Sequence, residues 1–101
     1  MVYHDIQIPR QELTSFCQRH RIRRLALFGS ILRNDFGPDS DIDVLVVFEP
    51  EARVGLFRLT NIQSQLSELF DRKVDLNTPG FLSDRFRDEV LREAEEQYVA
   101  A

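Results

Sequence analysis

The stretch that decides the fold is Leu25-Ala26-Leu27-Phe28-Gly29-Ser30-Ile31-Leu32-Arg33, followed after six residues by Ser40-Asp41-Ile42-Asp43-Val44-Leu45-Val46-Val47-Phe48. Leu25 to Phe28 is a short apolar run closed by a glycine and reads as a buried strand. Ser30 to Asn34 reads as a short helical turn, and Phe36 to Ser40 as a loop by its Gly, Pro, Asp and Ser content. Asp41 to Phe48 is rich in β-branched residues and is the clearest strand, ended by Pro50.

Working outward, Pro9 suits the first turn of a helix, where its missing N–H costs nothing. Leu13, Phe16 and Cys17 then recur at helical spacing, which makes Cys17 a core residue. Arg19, His20, Arg21, Arg23 and Arg24 end that helix and turn the chain. They are either a contact for triphosphate, RNA or an acidic partner, or positive charge placed to suit the helix dipole. Leu56, Leu59, Ile62, Leu66 and Leu69 mark one face of a helix of about four turns. Lys73 to Leu76 is a third short strand, stopped by Asn77-Thr78-Pro79-Gly80. A last helix is expected from about Ser83 to Tyr98, with Phe86, Val90 and Leu91 inward and Glu93, Glu95 and Glu96 solvated. This order predicts an α/β (α+β) domain, a small mixed β-sheet packed by helices.

The chain has 101 residues, 43% hydrophobic and 30% charged, as in ordinary globular domains. At this size about two-thirds of the unfolded surface is buried, enough for one core and one shallow site. The net charge of −4 argues against non-specific nucleic-acid binding, which needs phosphate neutralisation. The one cysteine fits a reducing, cytoplasmic setting. One cysteine and two distant histidines make no zinc site. Met1 to Asp5 shows no leader pattern and no run is apolar enough to span a bilayer, so no membrane association is expected.

Three features carry chemistry: Gly29-Ser30, Asp41-Ile42-Asp43, and Asp75. On a strand, Asp41 and Asp43 share a face with Cα atoms ~6.6 Å apart. Their repulsion must raise one pKa or be met by a cation, and oxygen ligands of this kind suit Mg²⁺. Asp75 alternates away from Val74 and Leu76. If its strand lies beside that of Asp43, three carboxylates converge and can hold two ions for a phosphoryl displacement. Gly29 lets backbone approach a ligand, and Ser30 and the N–H groups of the following turn can grip a phosphate.

Gly29-Ser30, ten residues, then Asp41-x-Asp43 resembles the signature of nucleotidyltransferases with the DNA-polymerase-β-like fold. The wider segments, with Lys73-Val74-Asp75-Leu76, resemble the minimal nucleotidyltransferases (MNT proteins) along nearly the whole chain, implying a single domain over residues 1–101. The resemblance implies Mg²⁺-dependent transfer of AMP from ATP to a hydroxyl, with release of pyrophosphate. It further implies a partner: many such proteins are antitoxins of HEPN-type toxins, some transferring AMP to a toxin tyrosine within a hetero-oligomer. By the same resemblance Asp41 and Asp43 are metal ligands and Asp75 is the third carboxylate, placed to take the acceptor proton. Gly29, Ser30 and Arg33 bind the nucleotide, although Arg33 could equally be a surface ion pair with Asp35 or Asp39. Many members carry glycine where this chain has Asn34, and asparagine can supply the positive φ of such a turn. A non-catalytic antitoxin that occludes its toxin is the alternative. A small-molecule nucleotidyltransferase ranks third, because relatives of that kind carry a further domain.

Overall fold

The computed structural model describes residues 2–4 and 6–100. Met1, Asp5 and Ala101, on which the leader reading and the full domain extent touch, lie outside the described residues.

A two-stranded hairpin of β1 (Val2–Tyr3) and β2 (Ile6–Gln7) leads into α1 (Arg10–Arg19). Pro9 stands just before the helix, and its carbonyl accepts from the Leu13 N–H at 2.8 Å. Arg21, at φ 58°, turns the chain into β3 (Ile22–Phe28). The strand thus starts three residues earlier than its apolar run suggested, and Arg23 and Arg24 belong to it rather than to the turn. After a 3-10 turn, Gly29–Leu32, and the loop to Ser40 come β4 (Ile42–Phe48) and α2 (Leu56–Phe70). Next are β5 (Val74–Asn77), a 3-10 turn, α3 (Asp84–Glu93) and β6 (Glu95–Val99). The last helix therefore stops five residues before Tyr98, and the chain returns as a strand beside β3.

The main sheet has the order β5-β4-β3-β6. β3 is antiparallel to β4 and to β6, whereas β4 and β5 are parallel and joined by the α2 crossover. This is the mixed sheet packed by helices that the sequence predicts. One face of β4, Ile42, Val44 and Val46, is fully buried with Leu25 and Leu27 of β3 against Leu13, Phe16 and Cys17 of α1 and Ile62, Leu66 and Phe70 of α2. Each such side chain contributes roughly 1.5–3 kcal/mol relative to exposure. Of the expected α2 stripe, Ile62 and Leu66 are core, Leu59 and Leu69 half-buried, and Leu56 exposed. Burial pushes the Cys17 thiol up to about 12, so it is an inert core thiol.

The opposite sheet face has a thinner cover: Phe28 and Leu45 meet Leu82 and Val90 of the α3 region. Phe86 and Leu91, expected inside, are about half exposed, because α3 turns only Val90 fully toward the sheet. Asp43 and Asp75 alternate onto this second face.

Candidate active site

The sheet brings the three predicted features into one row. β3 ends as β4 begins, so Phe28 pairs with Asp43, and on the other side Asp43 is in register with Asp75. Neighbouring strands lie about 4.8 Å apart. The two carboxyls share a hydrogen bond, and Asp41 stands two residues upstream of Asp43, just before β4 begins.

Asp43 feels this crowding. Its carboxyl is pushed up to about 6, by burial first, then by the charges of Asp75 and Asp41, with the Arg33 guanidinium pulling the other way. The sequence predicts a raised carboxyl from the Asp41–Asp43 repulsion; in the folded chain burial and Asp75 outweigh Asp41. Asp75 is exposed at the end of the row.

Gly29 sits at φ +76°, and a Cβ there would lie 2.2 Å from Asp43 Oδ2. The glycine thus seats the Asp43 carboxylate as well as opening the turn. The expected short helical turn is present as a 3-10 segment, Gly29–Leu32, two residues shorter at its end than the sequence suggested, and it offers an anion individual N–H groups rather than a helix dipole. Ser30 accepts the Arg33 N–H at 2.9 Å through its carbonyl, and among the described residues its hydroxyl has no partner. Arg33 does two things: its Nε lies 3.5 Å from Asp35 Oδ1, and it lines a cavity with Gly29 and Asp43. Asn34 does not take positive φ; the loop needs no such residue.

That loop is pinned from elsewhere. Ser40 Oγ accepts from the Gly37 N–H at 3.0 Å. Arg72 donates to the Gly37 carbonyl and stacks its guanidinium 4.6 Å from the Phe36 ring centre. Neither Lys73 nor Arg72 pairs with Asp75; Lys73 Nζ instead lies 3.9 Å from Asp41 Oδ2. The basic cluster is engaged elsewhere: Arg19 lies over Phe16, His20 meets Gln65 at 3.2 Å, and Arg24 pairs with Glu96. It also sits toward the far end of β3, where even Arg24, its nearest member, lies about 16 Å along the strand from Gly29, which removes it from the site.

The residues present fit a divalent cation. The donors are carboxylate oxygens alone, the set Mg²⁺ takes, and the crowding at Asp43 is the kind of conflict added positive charge relieves. Among the described residues no three such groups already stand close enough to hold an ion. Asp41 must leave Lys73 to join the other two, and that pair is long and exposed, so it costs little to break.

The cavity, about 150 Å³, is lined by Phe28, Gly29, Arg33 and Asp43 from the strand side and by Phe86, Glu89, Val90 and Glu93 from α3. These α3 residues escaped the sequence reading, which assigned Phe86 to the core and Glu93 to a solvated face. Their spacing of three, four and seven was the available signal for one shared helix face.

A mixed sheet with an Asp-x-Asp strand, a third aspartate in register and a Gly-Ser turn closing the row defines a nucleotidyltransferase. Residues 10–99 match the nucleotidyltransferase domain family, and the chain belongs to it, which makes it a transferase. It is 33% identical over 76 residues to protein adenylyltransferase MntA of Thermococcus cleftensis, covering 75% of each chain. A solved structure provisionally described as a minimal nucleotidyltransferase is 36% identical, with a TM-score of 0.71 over 85% of this chain and 86% of that one. The fold also matches a chain in the structure of a tri-AMPylated Shewanella oneidensis HEPN toxin in complex with MNT antitoxin. That match has a TM-score of 0.65 at 17% identity, over 90% of this chain and 70% of that one. Among the described residues no helix is long and apolar enough to cross a membrane.

Proposed function

We propose that this protein is a Mg²⁺-dependent adenylyltransferase that moves AMP from ATP to a hydroxyl, that of a tyrosine, on a partner HEPN-type toxin, and so acts as its antitoxin. The observation that carries the reading is the register of Asp43 with Asp75, beside a Gly29 that has room only for the Asp43 carboxylate. The named adenylyltransferase relative and the toxin–antitoxin complex of the same fold support the choice of acceptor class.

Asp41, Asp43 and Asp75 would hold the metal, which supplies Lewis-acid charge for the transferring phosphoryl group. Ser30, through its unpartnered hydroxyl, and the N–H groups after Gly29 bind the β- and γ-phosphates, and Arg33 adds positive charge at the cavity edge. Asp75, the exposed member of the row, accepts the proton of the attacking hydroxyl. The acceptor oxygen forms its bond to the α-phosphorus as the bond to the β-phosphate oxygen breaks, and pyrophosphate leaves with the electron pair.

The test is label transfer from α-labelled ATP and Mg²⁺ to the partner encoded by the adjacent gene. Label should appear with the wild type and vanish with Asp41→Asn/Asp43→Asn. The toxin–antitoxin complex of the same fold also supports a second reading, in which the carboxylates are idle and the protein neutralises its toxin by occlusion. Tight binding and neutralisation without label from the wild-type protein would establish that one.

A further inference from the structure

The cavity beside Asp43 has a use that metal and triphosphate binding leave unassigned. Its walls are the buried Phe28 and Val90 and the ring of Phe86, which stays 48% exposed although large and apolar. Gly29 and Asp43 also line it, as do the charged Glu89, Glu93 and Arg33. At about 150 Å³ it is smaller than the roughly 300–1,000 Å³ of sites that enclose a ligand of nucleotide size. A volume of about 150 Å³ takes one six-membered ring, and the lining here is mixed, with Phe28, Phe86 and Val90 apolar and Arg33, Asp43, Glu89 and Glu93 charged. Arg33 is partly neutralised by Asp35, so Glu89 and Glu93 leave the α3 side of the lining acidic. Those two carboxylates favour a cationic neighbourhood on a segment that enters there.

We propose that this cavity is the acceptor subsite, seating the ring of an aromatic hydroxyl side chain on a segment with basic neighbours, and that Phe86 sets the preference for a ring. The inference rests on the adenylyltransferase reading and adds what selects its acceptor. A phenol ring stacked against Phe28 and Phe86 brings its hydroxyl toward the Asp43–Asp75 row. A serine or threonine on the same segment leaves the cavity empty and its hydroxyl short of the row.

The test has a binding arm and a transfer arm. Phenol, titrated into the metal-free protein, should move the Val90 methyl signals in a carbon–proton correlation spectrum in a saturable way, and adenosine should not. Phe86→Ala should weaken phenol about fivefold to tenfold, the value of an aromatic wall. Binding of a non-hydrolysable ATP analogue with Mg²⁺ should be little changed by it. In the transfer arm, a short peptide with tyrosine between lysines should be labelled in preference to the same peptide with serine, and Phe86→Ala should raise the peptide KM more than it lowers kcat. Failure of phenol to move Val90, or equal use of tyrosine and serine, overturns the subsite. So does movement of Val90 by adenosine, or a loss of ATP-analogue affinity in Phe86→Ala, because the ring seated there is then the base. Phenol binding with no label on any hydroxyl overturns the adenylyltransferase reading instead, so the two failures are told apart.

Discussion

Asp43 carries most of the tension in the molecule. Its folded-state value of about 6 lies above the ordinary carboxyl value, so between the two the native protein holds more protons than the unfolded chain. Stability from this group therefore falls as pH rises through that window, and the cost is fully present above it. Asp43→Asn removes the charge and leaves an amide able to donate to Asp75. The metal-free variant should melt higher than wild type at a pH of about 7.5, and the gain should shrink toward pH 4. Thermal scans across this range decide it; a variant that melts no higher at neutral pH means the charge is not felt. Gly29 is the complementary case. Gly29→Ala puts a side chain at φ +76° and 2.2 Å from Asp43 Oδ2. Strain at such a position costs about 1–3 kcal/mol, and the carboxylate must also move. Chemical denaturation should show that loss, and label transfer should fall with it.

Among the elements, β5 is the one whose placement matters most, since it carries Asp75 at the edge of the sheet. Its outward N–H groups are not left open: Val74 donates to Ser67 Oγ at 3.0 Å and Leu76 to Gln63 Oε1 at 2.8 Å, both from α2. The crossover helix thus closes the sheet edge that its own connection creates. Gln63→Leu keeps the bulk but leaves the Leu76 N–H unpaired, which should cost about 1–3 kcal/mol. It should also speed hydrogen exchange at Leu76 well beyond the change at Val44; equal change at both sites refutes the capping role. The same scale explains what could be read in advance. β4 and α2 were legible because continuous β-branched residues and a spacing of three and four have few other solutions. The Asp43–Asp75 pairing could be reached only conditionally, because alternation fixes a face and not a neighbour. β6 was not legible: Glu95, Glu96 and Gln97 favour helix locally, and what overrides them is pairing with β3 and the Arg24–Glu96 ion pair. The β1–β2 hairpin is two residues a side, too short for any periodicity.

The whole molecule is unevenly held. One sheet face carries α1, α2 and a broad buried cluster, and among the described residues the other carries a small one, Phe28, Leu45, Leu82 and Val90 with Ala94 against them. The carboxylate row and the cavity lie on that thin side. Local openings draw on the regions with least buried apolar contact, so α3 should open without the rest of the fold. Its amides from about Arg87 to Glu93 should exchange at a free energy well below the global one and with little dependence on denaturant. Those of β3 and β4 should exchange only by global unfolding. Leu66→Ala should lower global stability by about 2–5 kcal/mol, whereas Val90→Ala should act first on α3 exchange. On the proposed function a nucleotide with Mg²⁺ would bind one edge of this side, and an acceptor ring seated against Phe86 and Val90 would bridge α3 to the sheet. Nucleotide alone should therefore slow α3 exchange modestly, and nucleotide with phenol more than the sum of the two. If α3 exchanges as slowly as β3 in the free protein, the uneven cover has no dynamic consequence. The site would then be a rigid groove rather than one completed by its acceptor.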